Sequence, residues 1–530
     1  MAEAAAPERQ LKRALGPFAL TCIGIGAIIG TGIFALAGTA AAGEQAHAIG
    51  SIWKTPVLNF FQAWITHAPL VFGRPGAGPA VMLSFIVAGI ACGFAALCYA
   101  ELAAMIPVSG SAYTYSYATM GEIVAWIIGW DLILEYAVGN MAVAVGWSGY
   151  FVRLCGSTQI PWLFPDGIKF PLWLVNDART ARDIVTTGGD ALKNYSSTGL
   201  PLIGGIPIAV NLPAFLIVAA VTALLIYGIR ESARTNSTIV VIKLAVVVFV
   251  IAFGAFMVHP NNWHPFLPSG FGGVMSGAAI VFFAFIGFDA VSTTAEEAKN
   301  PQRDMPIGII ASLIICTVLY VLMAAVITGM RMYTTYLGDP AAVATAFAGH
   351  RWAQALISAG ALAGITSVLL VFQLGQPRIF MAMARDGLLW PYFAKIHPRF
   401  RTPYITTIWT GIVVGGVAAL VDIGSLADLT NIGTLFAFVL VCMGVIILRR
   451  TQAGRARPFR VPLVPLFPIL GVLFCFILML SLPLETWGRF FVWLAIGLAI
   501  YFFYGVHHSK LRLGVDAGIT EDTPPPMIKT

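Results

Sequence analysis

The chain is 530 residues long, 58% apolar and only 10% charged, against roughly 25% charge in an ordinary soluble domain. With a mean hydropathy of +0.84 and repeated apolar runs of about 20 residues, it reads as one helical bundle with the bilayer as solvent. That excludes cytosolic enzymes, secreted disulfide scaffolds, nucleic-acid-binding domains and disordered proteins, and it makes the net charge of +7 a matter of Lys and Arg retained on one side of a membrane.

The apolar run from Ala14 to Ala42 follows Arg9, Lys12 and Arg13. It exceeds a signal-peptide core of roughly 7–15 residues, so it is expected to be a first spanning helix. Between Glu44 and Pro79, Trp53, Leu58, Phe61, Trp64 and Ile65 recur at near-helical spacing, interrupted by Pro56 and Pro69. A helix lying on the membrane surface is expected there. Further spans are expected near 80–106, 123–150, 208–228, 237–258, 272–295, 306–329, 352–372, 404–421, 427–448, 465–483 and 488–506, about twelve in all. The 151–207 loop, rich in Gly, Pro and Asp, reads as a partly ordered outer insertion. Its Asn194-Tyr195-Ser196 reads as a chance sequon, and the Pro524-Pro525-Pro526 tail as disordered. An even number of spans puts both termini on one side. With that side inside, 20 Lys and Arg fall on inner segments and 10 on outer ones, and Lys243 within a span completes the 31. Both termini are therefore expected in the cytoplasm. The seven cysteines, without metal-ligand spacing, read as packing residues.

Chemistry is expected where the apolar pattern breaks. The first span contains Gly24-Ile25-Gly26-Ala27-Ile28-Ile29-Gly30-Thr31-Gly32-Ile33-Phe34. A dinucleotide loop would need a strand before it and a soluble βαβ unit after it, and neither is present. A close helix-packing face through Gly26 and Gly30 and a broken helix offering free N–H groups to an anionic ligand both remain open. The sixth span supplies a counterpart in Phe282-Phe283-Ala284-Phe285-Ile286-Gly287-Phe288-Asp289. If helices 1–5 and 6–10 are inverted repeats, the two interruptions occupy equivalent places, the pattern of a midplane binding site. Ionisable residues inside spans cost about 3 kcal/mol or more unless sheltered. Lys243 either snorkels to the inner interface or faces the bundle as a titrating ammonium. Asp131 and Glu135, four apart, share one face of the third span. They serve either as a structural ion pair or hydrogen bond, or directly in coupling or substrate binding.

These residues resemble a known family. Gly26 to Phe34 is similar to the first-helix signature of the amino acid–polyamine–organocation superfamily. Cys98-Tyr99-Ala100-Glu101-Leu102, Gly129-Trp130-Asp131-Leu132-Ile133-Leu134-Glu135-Tyr136, Glu296-Glu297-Ala298-Lys299-Asn300-Pro301 and Met383-Ala384-Arg385-Asp386-Gly387-Leu388 resemble its cationic amino acid transporter subgroup, which includes bacterial amino acid permeases. The resemblance covers roughly residues 15–505 and leaves the long 44–79 and 151–207 segments outside its motifs. It implies an all-α integral membrane fold with a LeuT-like 5+5 inverted repeat, broken helices 1 and 6, and two peripheral helices. The organisation is then an N-terminus at 1–14, a ten-helix core at 15–448 with outer insertions 44–79 and 151–207, helices 11 and 12 at 449–506, and a disordered cytoplasmic tail at 507–530. It implies that N–H groups around Ile29, Gly30, Thr31 and Gly32 hold a substrate carboxylate. Carbonyls of Phe283, Ala284 and Ile286 would hold its ammonium, with Phe285 as an aromatic gate. Lys243 matches a fifth-helix lysine of proton-coupled relatives that stands against the Gly26 carbonyl, and Glu135 a third-helix acid facing the site. Thr366 and Ser367 match an eighth-helix hydroxyl region of the ion site, and Asn431 a tenth-helix lining.

The expectation is a secondary active amino acid transporter of the inner membrane that works by alternating access. It would be a proton symporter needing no cofactor, metal or nucleic acid. With Glu135 available to pair with Lys243, no free acid is left for a cationic side chain, and the reading leans to neutral amino acids. Cationic uptake or amino acid exchange is the alternative within the class. An amino-acid-gated channel or sensor and an intramembrane enzyme are the rivals outside it. The first lacks a soluble sensing domain, and the second lacks a His cluster, HExxH or a Ser/His/Asp set.

Overall fold

Backbone groups inside a bilayer find no water, so long apolar stretches coil into helices that close their own hydrogen bonds. The computed structural model describes residues 15–43, 51–67, 70, 72–105, 112–158, 167–187, 192, 195–204, 206–227, 233–398, 400, 402–510 and 512. Residues 1–14, Pro69, Asn194 and the triple-proline tail lie outside that set. Among the described residues the only sheet is a hairpin of Leu202–Ile203 with Ile206–Pro207; the rest is helix and connection.

In chain order the main helices are α1 (Pro17–Ile28), α2 (Ala37–Ala42), α3 (Val57–Thr66), α4 (Val81–Met105), α5 (Glu122–Ser157), α6 (Leu212–Tyr227), α7 (Ala233–Ala255) and α8 (Gly270–Val281). They continue with α9 (Pro301–Met330), α10 (Arg351–Arg385), α11 (Tyr404–Ala418), α12 (Ile423–Thr451), α13 (Leu466–Leu480) and α14 (Leu484–Ile500). Eight stretches, built on α4, α5, α7, α8, α9, α10, α12 and α14, are long and apolar enough to cross a membrane, and the bent pair of α1 with 32–42 makes a ninth. The apolar helices α6, α11 and α13 are shorter, at 16, 15 and 15 residues.

Packing sorts these helices. The 270–292 stretch and α5 are almost wholly enclosed by protein, whereas α7 and α14 turn most of their surface outward. α5 lies against α10 and α12, and α9 lies against α1 and α4. One continuous apolar core joins them. All seven cysteines are free thiols, five of them buried.

The outer segments are tied down separately. α3 begins directly after Pro56, and its Phe61, Trp64 and Ile65 are exposed. Leu172, Ala181, Ile184 and Ala209 form a second small core. Three cations from these segments converge on the start of α12. Arg179 meets Asp422 at 3.2 Å, Lys54 reaches the Ser425 hydroxyl at 3.2 Å and pairs with Glu485, and the fully enclosed Arg74 donates at 2.7 Å to both oxygens of Asp428. At the other end of the bundle Glu101 receives Arg449 on both oxygens and the Val461 amide, and Glu122 receives Tyr501, Ser509 and Arg512.

Candidate functional site

The first break is local in origin. α1 stops at Ile28, Ile29 turns extended at φ −74°, ψ 106°, and helical winding resumes at Gly32 with a π turn to Leu36. The two halves bend 44° against each other. The glycines also permit close packing: a Cβ on Gly26 would lie 2.6 Å from Val240, on Gly30 3.0 Å from Val368, and on Gly32 2.3 Å from the Ala284 Cα. The packing-face and broken-helix readings therefore hold together. The first amides of the second half have no intrahelical acceptor, and they form the positive end of a helix dipole inside the bundle.

The second break lies opposite. α8 tightens into a 3₁₀ turn over Phe282–Phe285, Ile286 is extended, and Gly287 takes φ +115° before 3₁₀ winding resumes at Asp289. That φ favours glycine, and a Cβ there would lie 2.9 Å from the Ala27 carbonyl oxygen. Asp289 accepts the Gly287 N–H at 3.2 Å. The two breaks thus clasp each other twice, Gly32 against Ala284 and Gly287 against Ala27.

Two side chains from neighbouring helices serve the carbonyls freed by the breaks. Lys243 of α7 is fully buried, and its ammonium donates to Gly26 O at 2.7 Å and Ile29 O at 3.0 Å. Its stem runs across α10, where a Cβ on Gly364 would approach it to 3.0 Å. Snorkelling is therefore excluded: the charge sits at the C-terminal end of α1, where the dipole favours a cation. Tyr320 of α9 places its hydroxyl 2.9 Å from both Ile28 O and Ala284 O, so one group spans both breaks. Sequence reasoning missed Tyr320, because a lone Tyr in an apolar span carries no pattern.

The other expected residues fall in different places. The carbonyl of Ala284 faces Tyr320, while that of Phe283 accepts the Ile286 amide at 3.3 Å. Phe285 is enclosed in a ring cluster with Phe85 and Tyr320. Asn431 donates to Ala279 O at 2.7 Å, and its side-chain oxygen is buried without a partner. Thr31 is buried, with its hydroxyl 3.5 Å from Val143 O. Ser367 bonds Gly364 O at 2.9 Å, beside the Lys243 stem, whereas Thr366 accepts from Trp147 at 3.0 Å. One expectation is corrected. The ammonium of Lys243 points to the α1 carbonyls, and Glu135 does not pair with it. Glu135 instead meets Thr434 of α12 and feels the charges of Asp289 and Asp131, because the break in the first span draws the lysine toward unsatisfied carbonyls.

Outside the spans, burial alone would push the Asp422 carboxyl up, but Arg179, Lys54 and the Ser425 amide and hydroxyl hold it below the usual carboxylate range. At the opposite end burial pushes Asp386 up, partly offset by the Tyr113 hydroxyl at 2.6 Å.

A multi-pass helical bundle whose two broken helices meet in its interior defines a membrane permease, not an enzyme. The chain matches the family model described as "Amino acid permease" over residues 15–502 and belongs to that family. It is 46% identical over 507 residues to the branched-chain amino acid permease BcaP of Bacillus subtilis (strain 168), covering 95% of this chain and 96% of the relative. It is 42% identical over 506 residues to the methylthioribose transporter of the same organism, with the same coverage. It is 39% identical over 449 residues to the vacuolar cationic amino acid transporter 2 of Arabidopsis thaliana, covering 83% of this chain and 60% of that one.

Proposed function

We propose that the protein is a proton-coupled symporter of neutral amino acids in the inner membrane, with both termini cytoplasmic. The nine long or bent spans and three shorter apolar helices would make twelve crossings, ten of them in a LeuT-like 5+5 inverted repeat and two peripheral. The carrying observation is the buried Lys243 ammonium on the carbonyls of Gly26 and Ile29. Protonated, it ties α7 to the end of α1; deprotonated toward the cytoplasm, it gives up that tie and favours inward opening. Amides around Ile29, Gly30, Thr31 and Gly32 suit a carboxylate. Carbonyls at Phe283, Ala284 and Ile286 suit an ammonium, with Phe285 as the gate, Asn431 and Glu135 lining the site, and Ser367 and Thr366 flanking the lysine. Similarity to a branched-chain amino acid permease supports neutral, branched substrates; similarity to cationic amino acid transporters keeps cationic uptake as the second reading.

The test is uptake by purified protein in liposomes, with labelled amino acids at two pH values. Leucine is expected to accumulate under an inward proton gradient, with arginine and lysine failing to compete. Lys243→Ala is expected to lose gradient-driven accumulation and to keep exchange. Wild-type accumulation in that variant assigns coupling elsewhere, and competition by arginine but not alanine selects the cationic reading.

A further inference from the structure

Asp131 is 2% exposed, and neither of its carboxylate oxygens has a hydrogen-bond partner. A carboxyl in that position is held by its surroundings, and here they are glycine and more acid. Asp131 is aimed at α12, where a Cβ on Gly433 would come within 2.7 Å of its Oδ1. One turn along α5, Glu135, also 2% exposed, meets the Thr434 hydroxyl of the same helix. The charges of Asp131 and of Asp289, from the second break, both act on Glu135. The other titratable groups in reach are Tyr99 and Cys92 of α4, which feel Asp289, and Tyr136, which feels both Asp289 and Glu135. The nearest cation from α10, Arg378, is felt through Tyr136.

Three carboxyls in a water-poor interior do not all ionise, because each charge disfavours the next and burial disfavours every one. Some positive charge must reside among them. A metal ion does not fit: no group of three His, Cys, Asp or Glu among the described residues could hold one. Lys243 does not supply the charge either, since its ammonium sits at the first break.

We propose that Asp131, Glu135 and Asp289 form a second proton-holding site of the transporter, distinct from Lys243, through which the coupled proton passes between the second break and the α5–α12 seam. The inference rests on the proton-symport reading. The proton is delivered by water, forms an O–H bond on one carboxylate oxygen, and leaves to water again; no other bond changes. Asp289 accepts the Gly287 amide when ionised, so proton occupancy next to it is linked to the geometry of the second break.

Two measurements on the full chain in lipid test this. The first is the ratio of gradient-driven leucine accumulation to counterflow exchange. Asp131→Asn is expected to lower that ratio at least about tenfold, as for an acid on an intramembrane proton path. The second is the infrared absorption of protonated carboxylic acid at neutral pH. It is expected in the wild type, sensitive to deuteration, and reduced in Asp131→Asn. A wild-type ratio in Asp131→Asn, or no protonated-acid band in the wild type, overturns the site. If the wild type itself shows no response to a proton gradient, the symport reading fails, and the infrared band alone decides whether the acids hold a proton. Should Asp131→Asn not reach the membrane, Asp289→Asn, which keeps an acceptor for the Gly287 amide, is read by the same two criteria.

Discussion

At Gly32 a single hydrogen separates two backbones. A Cβ would lie 2.3 Å from the Ala284 Cα, an atom that no rotamer change can move aside. Gly32→Val is therefore expected to part the two breaks and abolish substrate binding, measured as loss of labelled leucine retention by protein that still inserts in the membrane. Normal affinity in that variant would remove the amides of Gly30–Gly32 from the binding site. The glycines were legible in the sequence because a spanning helix has few reasons to carry four of them within nine residues. The destination of Lys243 was legible only in part: its burial followed from its apolar neighbours, but Glu135 was an equally available partner until the break exposed the carbonyls of Gly26 and Ile29. Tyr320 left no trace, since its role exists only where two distant segments meet.

α12 is the element on which the outer surface converges. Arg74, Arg179 and Lys54 come from two separate insertions and land within its first two turns. None of these pairings was readable in advance, because the partners lie hundreds of residues apart and no local periodicity links them. Removing one partner of an enclosed ion pair leaves the other charge stranded, at a cost of about 3–5 kcal/mol. Arg74→Ala should accordingly lower the melting temperature sharply, and the double change Arg74→Met with Asp428→Leu should recover most of it; equal melting of the single variant and the wild type would show the pair to be dispensable. Asp422 carries a pH dependence of definite sign. Its folded pKa lies below the unfolded one, so it adds stability above about pH 3.9, and that stability is lost as pH falls through the lower folded value. The outer end of α12 is expected to loosen only in that acidic window, read as deuterium exchange of its first turn, and Asp422→Asn should abolish the dependence.

The bundle as a whole follows the bilayer. Every expected span has an apolar helix over it in the structure, because a 20-residue apolar run has one stable conformation in lipid. Boundaries were less legible. α5 and α10 extend to 36 and 35 residues, well past the apolar stretch, since their ends are held by Glu122 and Asp386 contacts that polarity alone does not announce. α6, α11 and α13 end early for the converse reason, being about 22–24 Å long at 1.5 Å per residue and leaving the remaining thickness to turns. The outer insertions were visible as interruptions, but their small separate core of Leu172, Ala181, Ile184 and Ala209 was not, because four residues spread over 38 positions show no period.

The ammonium at the end of α1 is bonded to the chain, and this changes what the surroundings can do to it. A dissolved ion occupies such a place in proportion to its activity in the bath and departs at a finite rate. A lysine arrives at a local concentration fixed by its four-carbon tether, independent of any salt outside. Only its proton is exchangeable. Replacing external sodium with choline should therefore leave leucine uptake unaltered at constant pH, and a saturable rise with sodium would mean that a second cation shares the pocket.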